Sequence, residues 1–365
     1  MQEVKTLKDV QRVAGSLYTR ILEKSEHIMK HIQIGISIPI LPDFWKYMYS
    51  DFEEYNAKSI ILEEDINTET FGKMTDKVVG HTLIYDDGGD VLFFGFFRVI
   101  DHDPQKIEIL IDSVINYARQ NNFTSIRGPI NVPTVIFGWG FMVEGSRKDL
   151  FIGSPVNPPI YQQVIMQKGF YAKFQEDRYW MPAMKMDPHR NPALIKKGVN
   201  FAEYEFSNPG LEGMMQMKEE YIGIHADYMP PSAKITPKAS KNFDNIVDFV
   251  HTYGTEWMMW IVRHKATGQL AACGYVIPDV FHKDRKGELD SISFHDWVVH
   301  PNHRRKYLSM LMYGETSLRG KDRKTPHYIK RGSWPVGADN IANANAAKKM
   351  GGKKDRSHVI LQMEL

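Results

Sequence analysis

Residues 182–200 carry Pro182, Pro188 and Pro192 among charged side chains, and the same succession of hydrophobic patterns occurs once on each side of this interruption. Proline fixes φ and removes a backbone donor, so such a stretch ends regular structure and marks an expected boundary between units at residues 1–185 and 186–365. At 365 residues there is enough chain for two cores. Upstream, residues 7–28 and a stretch after Pro42 read as helices. Strand patterns follow over 59–62, 78–85 and 91–100, the last two joined by Asp86-Asp87-Gly88-Gly89. Pro104 opens an amphipathic helix in which Ile107, Leu110, Ile111, Val114, Ile115 and Ala118 share one face, and a strand over 124–127 succeeds it. A long segment rich in Gly, Pro and Asn, 128–159, precedes a helix over 160–168 and a strand over 171–181. Downstream the order recurs: a strand over 201–206, helices over 211–224 and 243–252, then a hairpin of 256–263 and 269–277. A strand over 292–299, a helix over 308–318, a strand over 328–334, a helix over 340–350 and a strand over 358–363 complete it. An antiparallel meander feeding strand, helix, strand, helix, strand is a mixed α/β (α+β) unit with a mostly antiparallel sheet and one parallel crossover.

Composition narrows the function classes. Lysine and arginine total 46 against 44 acids, a net charge of +2, which argues against DNA and tRNA as partners and makes any anion site local. Cys273 stands alone, so no internal disulfide forms, and no Cys/His cluster has metal-ligand spacing. The N-terminal residues mix charges throughout, and no run of about 18 apolar residues occurs. The expectation is a cytoplasmic protein without a membrane anchor.

The most specific segment is Val299-His300-Pro301-Asn302-His303-Arg304-Arg305-Lys306-Tyr307-Leu308-Ser309, between an apolar strand and an amphipathic helix. It resembles the phosphate loop of the GNAT acetyltransferase family, with Val299, Pro301 and Arg304 matching by position. Downstream, Gly332-Ser333-Trp334, then Asn340 and the helix-ending Gly351-Gly352, resemble that family's second signature. The resemblance implies two GNAT-like domains and acetyl-CoA or another acyl-CoA as co-substrate. It implies that Val298 and Val299 flank the cofactor, that Arg304, Arg305 and Lys306 reach phosphates, and that amides at Tyr307, Leu308 and Ser309 hold the pyrophosphate. Asn340 caps its helix or bonds the pantetheine arm. The chain departs from the pattern at Tyr307 and Ser309, where the family has glycine; a tyrosine there obstructs the phosphate or takes a strained positive φ. It also departs at Ala347, where many members carry a tyrosine acid, leaving Tyr313, Tyr328 or the substrate to supply a proton.

The reaction needs a base. His295 is preferred for its near-neutral intrinsic pKa, with Asp296 and Glu288 as nearby carboxylates. Strand alternation sends adjacent His295 and Asp296 to opposite faces, so only one is expected to face a cleft.

In the first half, Gly95-Phe96-Phe97, Arg127-Gly128-Pro129, Val143-Glu144-Gly145, Asn157-Pro158-Pro159 with Tyr161, and Lys168-Gly169-Phe170 resemble landmarks of a group of bacterial GNAT-related proteins. There Asp101-His102-Asp103-Pro104 takes the place of the phosphate loop; two acids and a proline repel phosphate, so no CoA site is expected in that half. Trp139, Phe141, Asn157 and Tyr161, with Trp334 from the second half, are the expected acceptor-binding residues. The leading function is acyl-CoA-dependent N-acyl transfer to a small-molecule or peptide amine. The alternatives are a degenerate ligand-binding or scaffold protein and an aminoacyl-tRNA-dependent transferase.

Overall fold

Strand alternation and helical periodicity become elements close to those expected in the computed structural model, which describes residues 2–3, 46–47, 55–63, 78–145, 151–182, 186–228, 242–322 and 328–365. The helices expected at 7–28 and just after Pro42 lie outside the described residues, apart from helical residues 46–47. Strands β1 (Gln2–Glu3), β2 (Lys58–Glu63), β3 (Val78–Tyr85) and β4 (Val91–Val99) form an antiparallel meander. Helix α1 (Pro104–Gln120) crosses to β5 (Ser125–Gly128), which pairs parallel with β4. Segment 128–159 is more regular than its composition suggests and contains α2 (Thr134–Phe137) and β6 (Phe141–Gly145). Then come α3 (Ile160–Gln167) and β7 (Tyr171–Pro182).

The second half repeats the plan. A short α4 (Pro192–Lys196), β8 (Tyr204–Ser207), α5 (Gly210–Gln216), α6 (Lys218–Tyr228) and α7 (Asn242–Tyr253) lead into β9 (Met259–His264), β10 (Leu270–Pro278) and β11 (Ser291–Val299). Helix α8 (Leu308–Gly320) crosses to β12 (Arg331–Gly337), parallel to β11, and α9 (Ile341–Lys349) leads to β13 (Lys353–Glu364).

Among the described residues the strands make one sheet in the order β1-β2-β3-β4-β5-β13-β7-β12-β11-β10-β9-β8, with β6 also on β13. The halves exchange their final strands. β13 pairs antiparallel with β5, β6 and β7, while β7 pairs antiparallel with both β13 and β12. Each half is thus completed by the last strand of the other. A smaller core lies where α1 and α3 cover the first-half strands, and Val359 and Leu361 of β13 join it. A larger core runs from Tyr85 and Phe96 through Trp260 and Met312 and spans both halves. No helix among the described residues is long and apolar enough to cross a membrane.

Candidate active site between parted strands

β11 and β12 stay paired only over Ser291↔Arg331, Ile292↔Gly332 and Ser293↔Ser333, and beyond that point they part. On the opposite edge of β11 the register with β10 slips between Tyr275↔His295 and Cys273↔Val298, so β11 carries one extra residue. Asp296 takes this bulge with φ 43°, a left-handed conformation that costs a non-glycine residue about 1–3 kcal/mol and recurs at functional sites. Parting and bulge together open a cavity of about 720 Å³. The bulge also corrects the alternation argument, because both His295 and Asp296 line that cavity.

At one end lies segment 299–309, expected from its sequence to be a phosphate loop. His300 Nδ1 accepts from Asn302 N at 3.2 Å, and His303 is packed inward between Tyr204 Oη at 3.1 Å and Gln269 Oε1 at 3.0 Å. This holds the turn rigid and turns Arg304 outward. Tyr307 takes the αL conformation that glycine adopts freely (φ 60°, ψ 25°), and Arg305 also has a positive φ of 65°. Tyr307 is 37% exposed, its ring centroid lies 5.2 Å from Lys197 Nζ, and it does not line the cavity. The Tyr307 side chain does not cap the first turn of α8; Met310 N donates to Tyr307 O at 2.9 Å, which leaves the amides of Leu308 and Ser309 for an anion. Val298, Val299, Arg304, Ser309 and Asn340 line the cavity. Arg305, Lys306 and Tyr307 do not; they are exposed on the turn, and Leu308 is buried beneath it. Asn340 caps α9, accepting from Asn343 N at 3.2 Å.

The other end is built from both halves. His295 Nε2 lies 3.0 Å from Ser293 Oγ, and burial lowers its pKa to about 4, against the pull of Asp296. Its imidazole is therefore neutral at physiological pH, a hydrogen-bond acceptor rather than a proton store. Asp296 accepts from the Tyr275 hydroxyl. β7 brings Arg178, fully buried, whose guanidinium donates to Ser293 Oγ at 3.2 Å, Ser333 Oγ at 2.9 Å and Gly153 O at 3.0 Å. Two residues earlier on the same face, Glu176 is only 7% exposed, and Trp139 Nε1 donates to its Oε2 at 2.9 Å. Burial raises Glu176 to about 7, opposed by the Arg178 charge and the Trp139 bond. Trp139 and Trp334 line this cavity, together with Phe174, Trp297 and Tyr313. Tyr313, its phenol raised to about 12 by burial, is the tyrosine alternative that reaches the cavity; Ala347 is buried and Tyr328 lies elsewhere.

Four expected site residues are corrected. Phe141 and Tyr161 are core residues stacked at 5.8 Å, and the Tyr161 hydroxyl bonds the backbone of Val99. Asn157 is buried, accepting from Met142 N at 2.7 Å. All three brace the first-half interior, because β6 orders a segment expected to be a ligand loop. Glu288 sits on the turn before β11, its amide donating to Asp284 Oδ1 at 3.1 Å, outside the cavity. Glu176 and Arg178 were missed at the sequence level, although opposite charges two residues apart within a strand share one face.

No family model matches the sequence, and no curated protein matches it. Solved structures do. The chain is similar to a tandem GNAT protein from the clavulanic acid biosynthesis pathway, at 14% identity over 99% of this chain and 97% of that one, with a TM-score of 0.57. It is similar to the GCN5-related glucosamine N-acetyltransferase region of a fungal multi-domain GH3 β-N-acetylglucosaminidase, at 11% identity over 99% of this chain and 38% of that one, TM-score 0.58. A GCN5-related N-acetyltransferase from Anabaena variabilis matches at 10% identity over 99% of this chain and 71% of that one, TM-score 0.50. The fold is a mixed α/β tandem GNAT-like fold extending over the whole chain.

Proposed function

We propose that the chain is an acyl-CoA-dependent N-acyltransferase, with its single site in the slot between β11 and β12. One observation carries this reading: a parted, bulged pair of strands opens directly onto the uncapped N-terminus of a 13-residue helix. The amides of Leu308 and Ser309 and the guanidinium of Arg304 would hold the pyrophosphate, while Asn340 and the open edge of β11 would hold the pantetheine and thioester. When bound, the acyl-CoA supplies an activated acyl carbon. His295 accepts a hydrogen bond from the neutral amine and orients its lone pair, and peptide N–H groups of the parted strand stabilise charge on the carbonyl oxygen. As the C–N bond forms and the C–S bond breaks, the nitrogen gives up its surplus proton to solvent, and the Tyr313 phenol is placed to donate a proton to the departing thiolate and to regain one from solvent.

Calorimetry with acetyl-CoA and longer acyl-CoAs tests the reading. Binding at micromolar to millimolar ligand supports it. No binding at millimolar ligand would leave the scaffold alternative, for which the missing acid at Ala347 is the observation in favour.

A further inference from the structure

Resting on the acyl-transfer reading above, we infer that Glu176, carried into the second-half slot on the exchanged strand β7, anchors the acceptor as a primary ammonium on an apolar or aromatic body and takes its proton before attack. The charges in the cavity leave this carboxylate available for the task. Arg178 spends its terminal nitrogens on Ser293, Ser333 and Gly153, and Asp296 is engaged by the Tyr275 hydroxyl. Arg304 reaches back to Val299 O at 3.4 Å at the phosphate end. Glu176 Oε2 is fixed by Trp139. Its Oε1 lies 4.0 Å from Arg178 Nη2, beyond hydrogen-bond reach, and accepts no hydrogen bond from a described residue. Fixing one oxygen and leaving the other open is what a cation needs from a carboxylate.

The walls fit the same ligand. Trp139 and Phe174 meet edge to face at 5.6 Å, and Trp297 and Trp334 lie 5.8 Å apart, all lining the cavity. Aromatic faces attract an ammonium and shelter an apolar body. Glu176 and Asp296 together disfavour an acceptor carboxylate. The proton step balances: one ammonium N–H proton passes to Glu176, leaving a neutral amine whose lone pair attacks, the second leaves the nitrogen for solvent as the amide forms, and Glu176 returns its proton to solvent after product leaves.

The test uses 2-phenylethylamine as probe, with 2-phenylethanol and 3-phenylpropionate as comparators, titrated calorimetrically into the full chain. The Glu176→Gln variant keeps an oxygen that accepts from Trp139, so it separates charge from support. At about pH 8 the amine should bind wild type at least about tenfold tighter than the variant, while 2-phenylethanol and acetyl-CoA bind both alike. The groups facing Glu176 are Trp139 and Arg178, which favour its charge, and Asp177 and Asp296, which oppose it. Because its carboxyl is raised to about 7, amine affinity for wild type should fall between about pH 8 and about pH 6 as the carboxylate protonates, the alkylammonium and His295 keeping their charge states. That series needs no substitution. Equal amine affinity in the two proteins, a flat wild-type pH series, tighter 3-phenylpropionate binding, or no amine binding at millimolar probe each overturns the inference. Absence of acetyl-CoA binding alone sinks the acyl-transfer reading and leaves the amine result standing.

Discussion

Where β4 and β5 part, the chain after β5 stays against β4: Ile130 N donates to Phe94 O at 2.8 Å, and Asn131 Oδ1 accepts from Phe96 N at 2.6 Å. Where β11 and β12 part, the residue equally far beyond the last parallel pair is Gly337, and it has no side chain with which to close the gap. The bulges correspond as well. β4 slips register between Leu83↔Gly95 and His81↔Arg98, with Phe96 at φ 50°, as β11 does at Asp296. Gly95 and His295 therefore hold matching places. A Cβ on Gly95 would lie 2.1 Å from Ile130 O, whereas His295 has a cavity to occupy. At the helix starts, Asp103 accepts from Gln105 N at 2.9 Å and spends the anion site of α1 on itself, while α8 is left uncapped. One backbone plan makes a filled wall in the first half and a slot in the second, and a few side chains decide which.

Five tests by substitution sharpen or break this contrast. Gly95→Val should have the largest effect, since a buried branched side chain against backbone that cannot retreat costs about 3 kcal/mol or more. Urea unfolding reads it, and a loss below about 1 kcal/mol would mean the first-half wall is not tightly closed. Gly337→Asn should copy the Asn131 closure and weaken acyl-CoA binding about a hundredfold with folding retained; unchanged affinity would remove the slot from cofactor binding. Arg304→Glu should weaken acyl-CoA by about 2 kcal/mol, turning a phosphate contact into a repulsion near a helix terminus. Arg305→Glu, on the solvent side of the turn, should matter much less, and equal losses would show that Arg305 also reaches the phosphates. The smallest effect belongs to reversing Asp101 and Asp103 to lysine. Acyl-CoA affinity should stay within about twofold, while loss of the Asp103 cap removes about 1 kcal/mol of stability. A tenfold affinity change there would put the cofactor in the first half.

Periodicity carries information about burial and little about neighbours, which separates what was legible in the sequence from what was not. β3 was expected over 78–85 and spans Val78–Tyr85, and α1 follows its apolar face from Pro104. Alternation in β7 and β13 tells which face is buried but not which strand lies alongside, so the exchange was hidden. The bulge was hidden too, since its extra residue breaks the period that placed Asp296 away from His295. Phe141 and Tyr161 were misread because aromatics among glycines and prolines look alike whether they await a ligand or pack a core. Glu176 was overlooked because a charge in a strand reads as a solvent face, and only the neighbouring second half buries it.

The strand exchange also bears on how the protein is made. Arg127 Nε donates to Gln362 Oε1 at 2.8 Å across 235 residues of chain, at the seam where β13 enters beside β5. During synthesis the first half has an open edge at β5 until β13 has left the ribosome, and contacts of such sequence separation slow folding and prolong exposure of unpaired strands. The first half is thus a template held waiting for the second, and neither half is released finished before the other.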